Sequence, residues 1–376
     1  MHSSKRICIA FLGNAHHDSR VTNLTNSLCA DGFDVSVISF DWSNKEIEKC
    51  DSKIKVIKIT GKDRSSLLFY FGFALKLVRE LIKTKADIFF AEDFYTLPFV
   101  TLIAKIKRAK VYYNSRELYA FIGGLHSRPF LQAVIKRIEK FFITKVDLVM
   151  TTGEMDSEFI EKFYGIKDTL VIRNIPLLQK ASAPVDFRKM FSIPGNHLIL
   201  LYQGIIIGGR GIPVIFDVMK KIPNTSLVLL GGGEQKNNYK NLADEMGIAS
   251  RVFFAGTIPQ KELINYTAAA DAGLSLIENI SISYYHALPN KLFEYIMAGL
   301  PVLSSNLPQM KKIVEQFKVG EVVDIEQSVQ IVSAIQKWID CPEILNEYKN
   351  NTRAAAEILN WQEEYKRAFK KLFPER

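Results

Sequence analysis

Short apolar runs separated by helical patterns constrain this chain more than any other feature. KRICIAFLG (5–13) comes first, and Asp18 to Asp31 follows with Val21, Leu24 and Leu28 at helical spacing and Gly32 as a stop. DVSVISF (34–40), ADIFFAE (86–92), KVYYN (110–114) and VDLVMTT (146–152) continue the alternation. Strands alternating with helices build a parallel sheet covered on both faces, and near-continuous apolar strands fit that double burial. A second series begins after Asn196, with HLILLYQG (197–204), SLVLLGG (226–232), RVFFAG (251–256), AGLSLI (272–277) and PVLSS (301–305). Between the two, RNIPLLQKASAPVDF (173–187) reads as a linker through Pro176, Pro184 and its small residues. The pattern predicts two doubly wound α/β domains with a hinge near 175–190. At roughly 150 residues per domain, 376 residues suit two. From Pro342 the chain reads as helix nearly to its end, with Trp361, Tyr365, Phe369 and Phe373 four apart as a packing stripe.

Composition narrows the class. A chain that is 48% hydrophobic and 24% charged is neither disordered, collagen-like nor a small disulfide scaffold. No apolar run approaches the ~18 residues of a membrane span. The run Ile7 to Leu12 is too short for a signal-peptide core and reads as a first strand. Cys8, Cys29, Cys50 and Cys341 are scattered with no CxxC pair, which points to reduced thiols in a cytosolic protein rather than metal or redox chemistry. A formal charge of +9 and a pI near 9.1 suit nucleic acid, an anionic membrane surface or a phosphorylated small molecule, or simply a solvated basic surface. Zinc-finger spacing, a basic zipper and the aromatic RNP signature are all missing, so no nucleic-acid partner is expected. Residues 62–85, with Lys62, Arg64, Lys76, Arg79, Lys83 and Lys85 around an aromatic apolar stripe, and 105–110 fit either peripheral contact with a membrane or an ordinary helix packed on its sheet.

Open parallel sheets bind ligands beyond the carboxyl ends of their strands. After the first strand stand Gly13 and Asn14, where a small residue lets backbone N–H groups approach a phosphate or sugar; a plain turn glycine explains Gly13 equally well. Asp18 reads as a helix N-cap. The loop QGIIIGGRGI (203–212) surrounds Arg210 with glycines 204, 208, 209 and 211, a form suited to a diphosphate although not a Walker A loop. The triple glycine 231–233 is a weaker signal of the same kind. In LPNKLFEYIMAGLPVLSSN (288–306), Pro289 starts a helix and Gly299 ends it, placing Lys291 and Glu294 on one face. A lysine at a helix N-terminus is disfavoured unless an anion sits there, and a glutamate one turn on can accept hydrogen bonds from a ribose diol. The plain alternative is a surface ion pair.

The stretches YQGIIIGGRGI, SLVLLGGGE, RVFFAGTIP, ELINYTAAADAGLSLI and PNKLFEYIMAGLPVLSS, in order and spacing, resemble the family-four retaining glycosyltransferases, a group 1 glycosyltransferase-like family. DSRVTNLTNSLCADGFDVSVIS, ADIFFAEDFYTLP and VYYNSRELY match more loosely. The resemblance implies the GT-B fold, two Rossmann-like doubly wound parallel-sheet domains facing a central cleft. They would comprise residues 1–175, a linker 176–190 and a nucleotide-sugar-binding domain 191–359, with helix 360–376 packing back on the first domain. It implies that Arg210 and Lys291 bind the donor diphosphate and that Glu294, the second glutamate of an E-x7-E motif, holds the ribose. Thr257 and Ile258 would meet the base, with Gly13, Gly204, Gly211, Asn290 and Leu292 completing the donor site. Glu117 and His286 join Arg210 and Lys291 as catalytic candidates, and Asn14, His16, His17 and Arg116 lie on the acceptor side.

Three positions depart from the family pattern. His286 replaces the first glutamate of E-x7-E, which contacts the donor sugar. Ile205 replaces an arginine after the strand glycine. Arg116 stands for the histidine of D-x-H-E-L-Y. The function implied is a retaining, metal-independent hexosyl transfer from a nucleotide-diphosphate sugar to a glycan, lipid-linked or small-molecule acceptor in surface glycan synthesis. No cofactor or metal is implied, and the sequence has no Asp-x-Asp pair. The expected location is cytoplasmic, on or near the inner face of the membrane. A sugar-nucleotide epimerase on the same fold and a non-catalytic glycan- or nucleic-acid-binding relative are the alternatives.

Overall fold

The computed structural model describes residues 5–41, 54–58, 67–122, 125 and 127–374. Residues 42–50, including Cys50, and residues 62–66 of the basic stretch 62–85 lie outside them. Two compact units are formed, residues 1–173 with 364–376, and residues 174–363.

The first unit holds a sheet of β1 (Arg6–Phe11), β2 (Asp34–Asp41), β3 (Ile54–Lys58), β4 (Ile88–Ala91), β5 (Lys110–Ser115), β6 (Leu148–Thr151) and β7 (Leu170–Val171). The strands pair in parallel in the order β3-β2-β1-β4-β5-β6-β7. Its helices are α1 (Ser19–Ala30), α2 (Leu67–Lys83), α3 (Leu97–Ile106), α4 (Pro129–Ile143) and α5 (Glu154–Tyr164). The central strands are apolar on both faces because helices cover both: Ile7, Cys8, Ile9 and Ala10 are all buried, as are Ile88 to Ala91. Asp18 caps α1 by accepting from the Val21 N–H at 2.9 Å.

The second unit repeats the plan with β8 (Leu198–Gln203), β9 (Thr225–Leu230), β10 (Val252–Gly256), β11 (Ala272–Ser275), β12 (Val302–Ser305) and β13 (Gly320–Val323), in the order β10-β9-β8-β11-β12-β13. Its helices are α6 (Phe187–Phe191), α7 (Ile212–Lys221), α8 (Lys236–Glu245), α9 (Gln260–Thr267), α10 (Ile282–Tyr285), α11 (Asn290–Met297), α12 (Pro308–Phe317), α13 (Ser328–Asp340) and α14 (Pro342–Ala356). α15 (Trp361–Leu372) follows, and its residues from Glu364 belong to the first unit. There Phe373 packs on Phe33 with ring centroids 4.5 Å apart, and the Tyr365 hydroxyl donates to Asp31 at 2.6 Å. Both units are thus doubly wound α/β folds, as the alternation predicts.

Two expectations need correction. The sequence reading has no β3, β7 or β13, and all three are edge strands. An edge strand is half solvated, so its apolar signal is diluted. The single helix expected from Pro342 is two, broken at 357–360, where Asn360 accepts from the Glu363 N–H at 3.0 Å and its amide donates to the Ala356 carbonyl. A side-chain cap, with neither Gly nor Pro at the break, makes the corner.

Candidate functional site

In each sheet the strand order reverses beside the first strand, between β1 and β4 and between β8 and β11. Loops leaving the two strands there diverge to opposite faces and open a crevice. In the second unit this brings residues 204–211, after β8, against residues 276–284, after β11. The Glu278 N–H donates to the Gly209 carbonyl at 3.2 Å, and the Gly211 N–H donates to the Glu278 carboxylate at 3.3 Å. Arg210 lies with its guanidinium 4.9 Å from the Tyr284 ring centroid. Gly211 is the N-cap residue of α7 and has no side chain to cap it.

The loop is held from the other side by the glycine triplet. Gly204 N–H donates to the Leu230 carbonyl at 2.9 Å, and Ile206 N–H to the Gly232 carbonyl at 2.8 Å. Gly231 adopts φ +141°, and a Cβ built there would lie 1.9 Å from the Gly204 carbonyl oxygen. The triplet is therefore the bed of the Arg210 loop, a role its sequence signal alone did not distinguish from that of a turn. Thr257 is exposed beside it, its hydroxyl 3.4 Å from where a Cβ on Gly232 would stand, and Ile258 is half-buried.

α11 supplies the other half. Its anchor is Tyr295, fully buried, whose hydroxyl accepts from the Gln203 N–H at 3.0 Å and lies within reach of the Leu201 and Leu274 carbonyls. The ring can lie flat on β11 only because Gly273 has no Cβ, which would come within 2.4 Å of it. So fixed, α11 presents Lys291 and Glu294. Pro289 is the N-cap residue and gives no side-chain cap, so the positive end of the helix is bare.

The Lys291 ammonium is buried with no hydrogen-bond partner, 3.9 Å from the Tyr202 ring centroid and 3.8 Å from the Cβ position of Gly204. Its pKa is pushed down to about 7, mainly by burial and secondly by nearby Arg210, with Glu294 opposing both. Glu294 is raised above the usual carboxylate range, mainly by burial, against hydrogen bonds from Gln203 and Gln260 and the charge of Lys291. Gln203 donates to the Glu294 carboxylate at 2.5 Å and accepts from the Thr267 hydroxyl at 2.7 Å. Gly204, Arg210, Gly211, Lys291 and Glu294 are thus gathered in one place. Asn290 is exposed at the helix start.

One predicted residue stands differently. Leu292 has no exposed surface: its side chain is in the core and its N–H donates to the Pro289 carbonyl, so it supports α11 and presents nothing to a ligand. His286 ends α10, its carbonyl accepting from the Gln309 amide at 2.5 Å and its ring 6.0 Å from that of Tyr285. Sequence reasoning passed over Tyr202, Gln203, Glu278 and Tyr295. A polar Gln203 closing an apolar strand, just before Gly204, was the available signal. A groove of about 610 Å³ between α7, residues 278–280 and the start of α13 contains none of Arg210, Lys291 and Glu294.

The first unit gathers charge at the ends of β1, β4 and β5. Asn114 accepts from Arg20 at 2.9 Å and donates to Glu92 at 2.8 Å, and Arg20 donates to the Ile172 carbonyl at 2.7 Å. Burial lowers the Arg20 pKa to about 10 and raises that of Glu92. The second Glu92 oxygen has no partner. Arg116 pairs with Asp18 at 2.7 Å and lies 5.0 Å from the Phe11 ring centroid. Burial works against its charge, but Asp18 and Glu92 outweigh it and raise its pKa. Asn14 accepts from the His16 N–H at 3.1 Å at the head of a short turn, Ala15–His17. His17 and Glu117 are exposed, while His16 is half-buried. Gly13 is buried, and a Cβ on it would meet the Phe11 ring at 2.4 Å.

Comparison with known proteins bears on both units. Residues 186–355 match the sequence profile of glycosyl transferases group 1, and residues 18–175 that of glycosyltransferase family 4. An uncharacterized glycosyltransferase of Haemophilus influenzae is 24% identical over 351 residues, 92% of this chain and 93% of that one. The lipopolysaccharide core biosynthesis glycosyltransferase LpsD of Rhizobium meliloti is 26% identical over 197 residues, 52% of this chain and 54% of its own. Among solved structures, sucrose-phosphate synthase from Thermosynechococcus elongatus superposes with a TM-score of 0.81 at 18% identity, covering 99% of this chain and 100% of that one. Anabaena HepE in complex with UDP-glucose gives 0.72 at 16%, covering 98% and 99%.

Proposed function

Starting from a chain that belongs to the group 1 glycosyltransferases and has their GT-B fold, we propose that it moves a hexose from a nucleotide-diphosphate sugar to a glycan or lipid-linked acceptor, with retention of configuration. What carries the reading is Lys291: a buried ammonium without a partner, at an uncapped helix N-terminus and one turn from a half-buried glutamate. A buried cation in that position lacks an anion, and a diphosphate supplies one. Lys291, Arg210 and the N-terminus of α7 would stabilise the charge that develops on the leaving diphosphate as the sugar becomes oxocarbenium-like. Glu294 would accept from the ribose hydroxyls. The departing phosphate can itself take the acceptor's proton, so the reading needs no protein base, and with no Asp-x-Asp pair in the sequence it assigns a metal's usual charge to protein cations. A surface-glycan role is supported by relatives named for lipopolysaccharide core and teichuronic acid biosynthesis. An acceptor held at a membrane also suits the basic segments 62–85 and 105–110.

The test is thermal stability against UDP, GDP, TDP and ADP and their common sugars. A ligand at one hundred times its Kd raises stability by about 2.7 kcal/mol. One base should give a clear upward shift that Glu294→Ala abolishes while the protein stays folded. Folded wild-type protein that shifts with none of them would sink the proposal. Retention is read separately, from the anomeric configuration of the product by NMR.

A further inference from the structure

Among the described residues, twenty large apolar side chains are exposed, and ten of them fall on α2, α3 and α4 of the first unit. These helices all belong to rightward crossovers of one parallel sheet, so they share one face of it, and α3 packs between the other two. Each has an outer stripe built in the same way. On α2, opposite the buried row Phe69, Phe73, Leu77 and Leu81, the outer row is Leu68, Phe71, Leu75, Arg79 and Ile82, with Leu68 80% exposed. On α3 it is Leu102, Lys105 and Ile106, and Ile106 is 78% exposed. On α4 it is Phe130, Val134, Arg137 and Phe141, and Phe130 is 83% exposed. Each outer row is thus apolar with one cation set into it.

Charge on these helices is one-sided. They carry seven Lys and Arg against two acids. Glu139 is buried under the Tyr113 and Tyr164 hydroxyls, Glu80 is ion-paired with Lys55 at 2.5 Å and Lys83 at 3.7 Å, and Asp147, from outside these helices, pairs with Lys105 at 3.5 Å, so the charge of the face rests chiefly on the outer-row Arg79 and Arg137. Apolar side chains with interleaved cations, spread along three side-by-side helices, match a plane whose surface is anionic and whose interior is hydrocarbon. A water-soluble acidic partner would match the cations but leave the phenylalanines wet.

We infer that α2, α3 and α4 together form a docking face for an anionic lipid bilayer, with α4 contributing as much as the basic helix α2. No helix among the described residues is long and apolar enough to cross a membrane, so the contact is peripheral. The inference deepens the reading of a membrane-held acceptor and rests on it only for its purpose, because docking is measured without sugar transfer.

The experiment is co-flotation of the full chain with vesicles of phosphatidylcholine alone and with about one third phosphatidylglycerol. Binding to the anionic vesicles only, weakened by salt, is expected. Phe71→Ser with Phe130→Ser, and Arg79→Glu with Arg137→Glu, should each lower it about tenfold. The nucleotide-induced thermal shift, measured on the same samples, should stay as in the wild type, which reports folding and tests the donor site separately. Failure of folded wild type to bind, equal binding to neutral vesicles, or wild-type binding by both variant pairs would overturn the inference. So would a dimer of this chain that the serine pair converts to monomer, since a second copy would then cover the face.

Discussion

Lys291→Met is expected to lower sugar transfer by about 10²–10³-fold, the loss typical of removing one group aimed at charge developing in a transition state. The same substitution should stabilise the unliganded protein. The lysine titrates near its ordinary 10.5 when unfolded and at about 7 when folded. Between those values the unfolded chain keeps a proton that the folded chain has released, so stability rises with pH from about 7 to 10.5. It is lowest below about 7, where the folded protein carries the buried charge. The gain from methionine should therefore be largest below pH 7, on the order of a few kcal/mol. Donor binding runs the other way. A diphosphate favours the charged lysine, so the Kd of the nucleotide sugar should rise above pH 7, by at most about tenfold per unit. Titration calorimetry from pH 6.5 to 8.5 reads this, and the variant's weaker binding should be flat. A flat wild-type profile would separate Lys291 from the anion.

Gly231→Ala is the second. Its Cβ would stand 1.9 Å from a backbone oxygen of Gly204, at a φ of +141° that side chains avoid. Neither partner is a side chain that can swing aside, so the 204–206 strand end and the 231–233 turn must separate, breaking the Gly204–Leu230 and Ile206–Gly232 hydrogen bonds. We expect a loss of about 2–4 kcal/mol, seen in chemical denaturation, and weaker nucleotide binding as Arg210 shifts with its loop. Gly208→Ala, in the same loop with nothing within 4 Å of its Cβ, is the control and should change stability by less than about 0.5 kcal/mol. Equal stability of the two variants would contradict the account of the triplet as the loop's bed.

The placing of Lys291 beside Glu294 was legible for a physical reason. Lys291 and Glu294 are three apart on one helix, so local periodicity alone puts them on one face, and Pro289 and Gly299 mark that helix's ends. Arg210 was legible as the cation of a glycine-rich strand-to-helix loop. Tyr295 was not, since one aromatic in an apolar helix reads only as core. Its hydroxyl bridge to Gln203 and Leu201 depends on a strand 92 to 94 residues away and on Gly273 leaving room for the ring. Arg20, Asn114 and Glu92 likewise come from a helix and two strand ends, and no spacing relates them.

Sequence alone determined what depends on neighbours along the chain: two α/β series, the helix that carries Lys291 and Glu294, the glycine-rich loop at Arg210, and the basic character of α2. Tertiary structure decided what depends on distant segments. It made the 231–233 triplet a support, turned Leu292 inward, left the Lys291 ammonium buried without a partner, and set α4 in one face with α2 through α3. The division follows from the forces involved. Backbone periodicity, capping and strand burial act over a few residues, whereas desolvation and close backbone approach depend on which distant segments fold against each other.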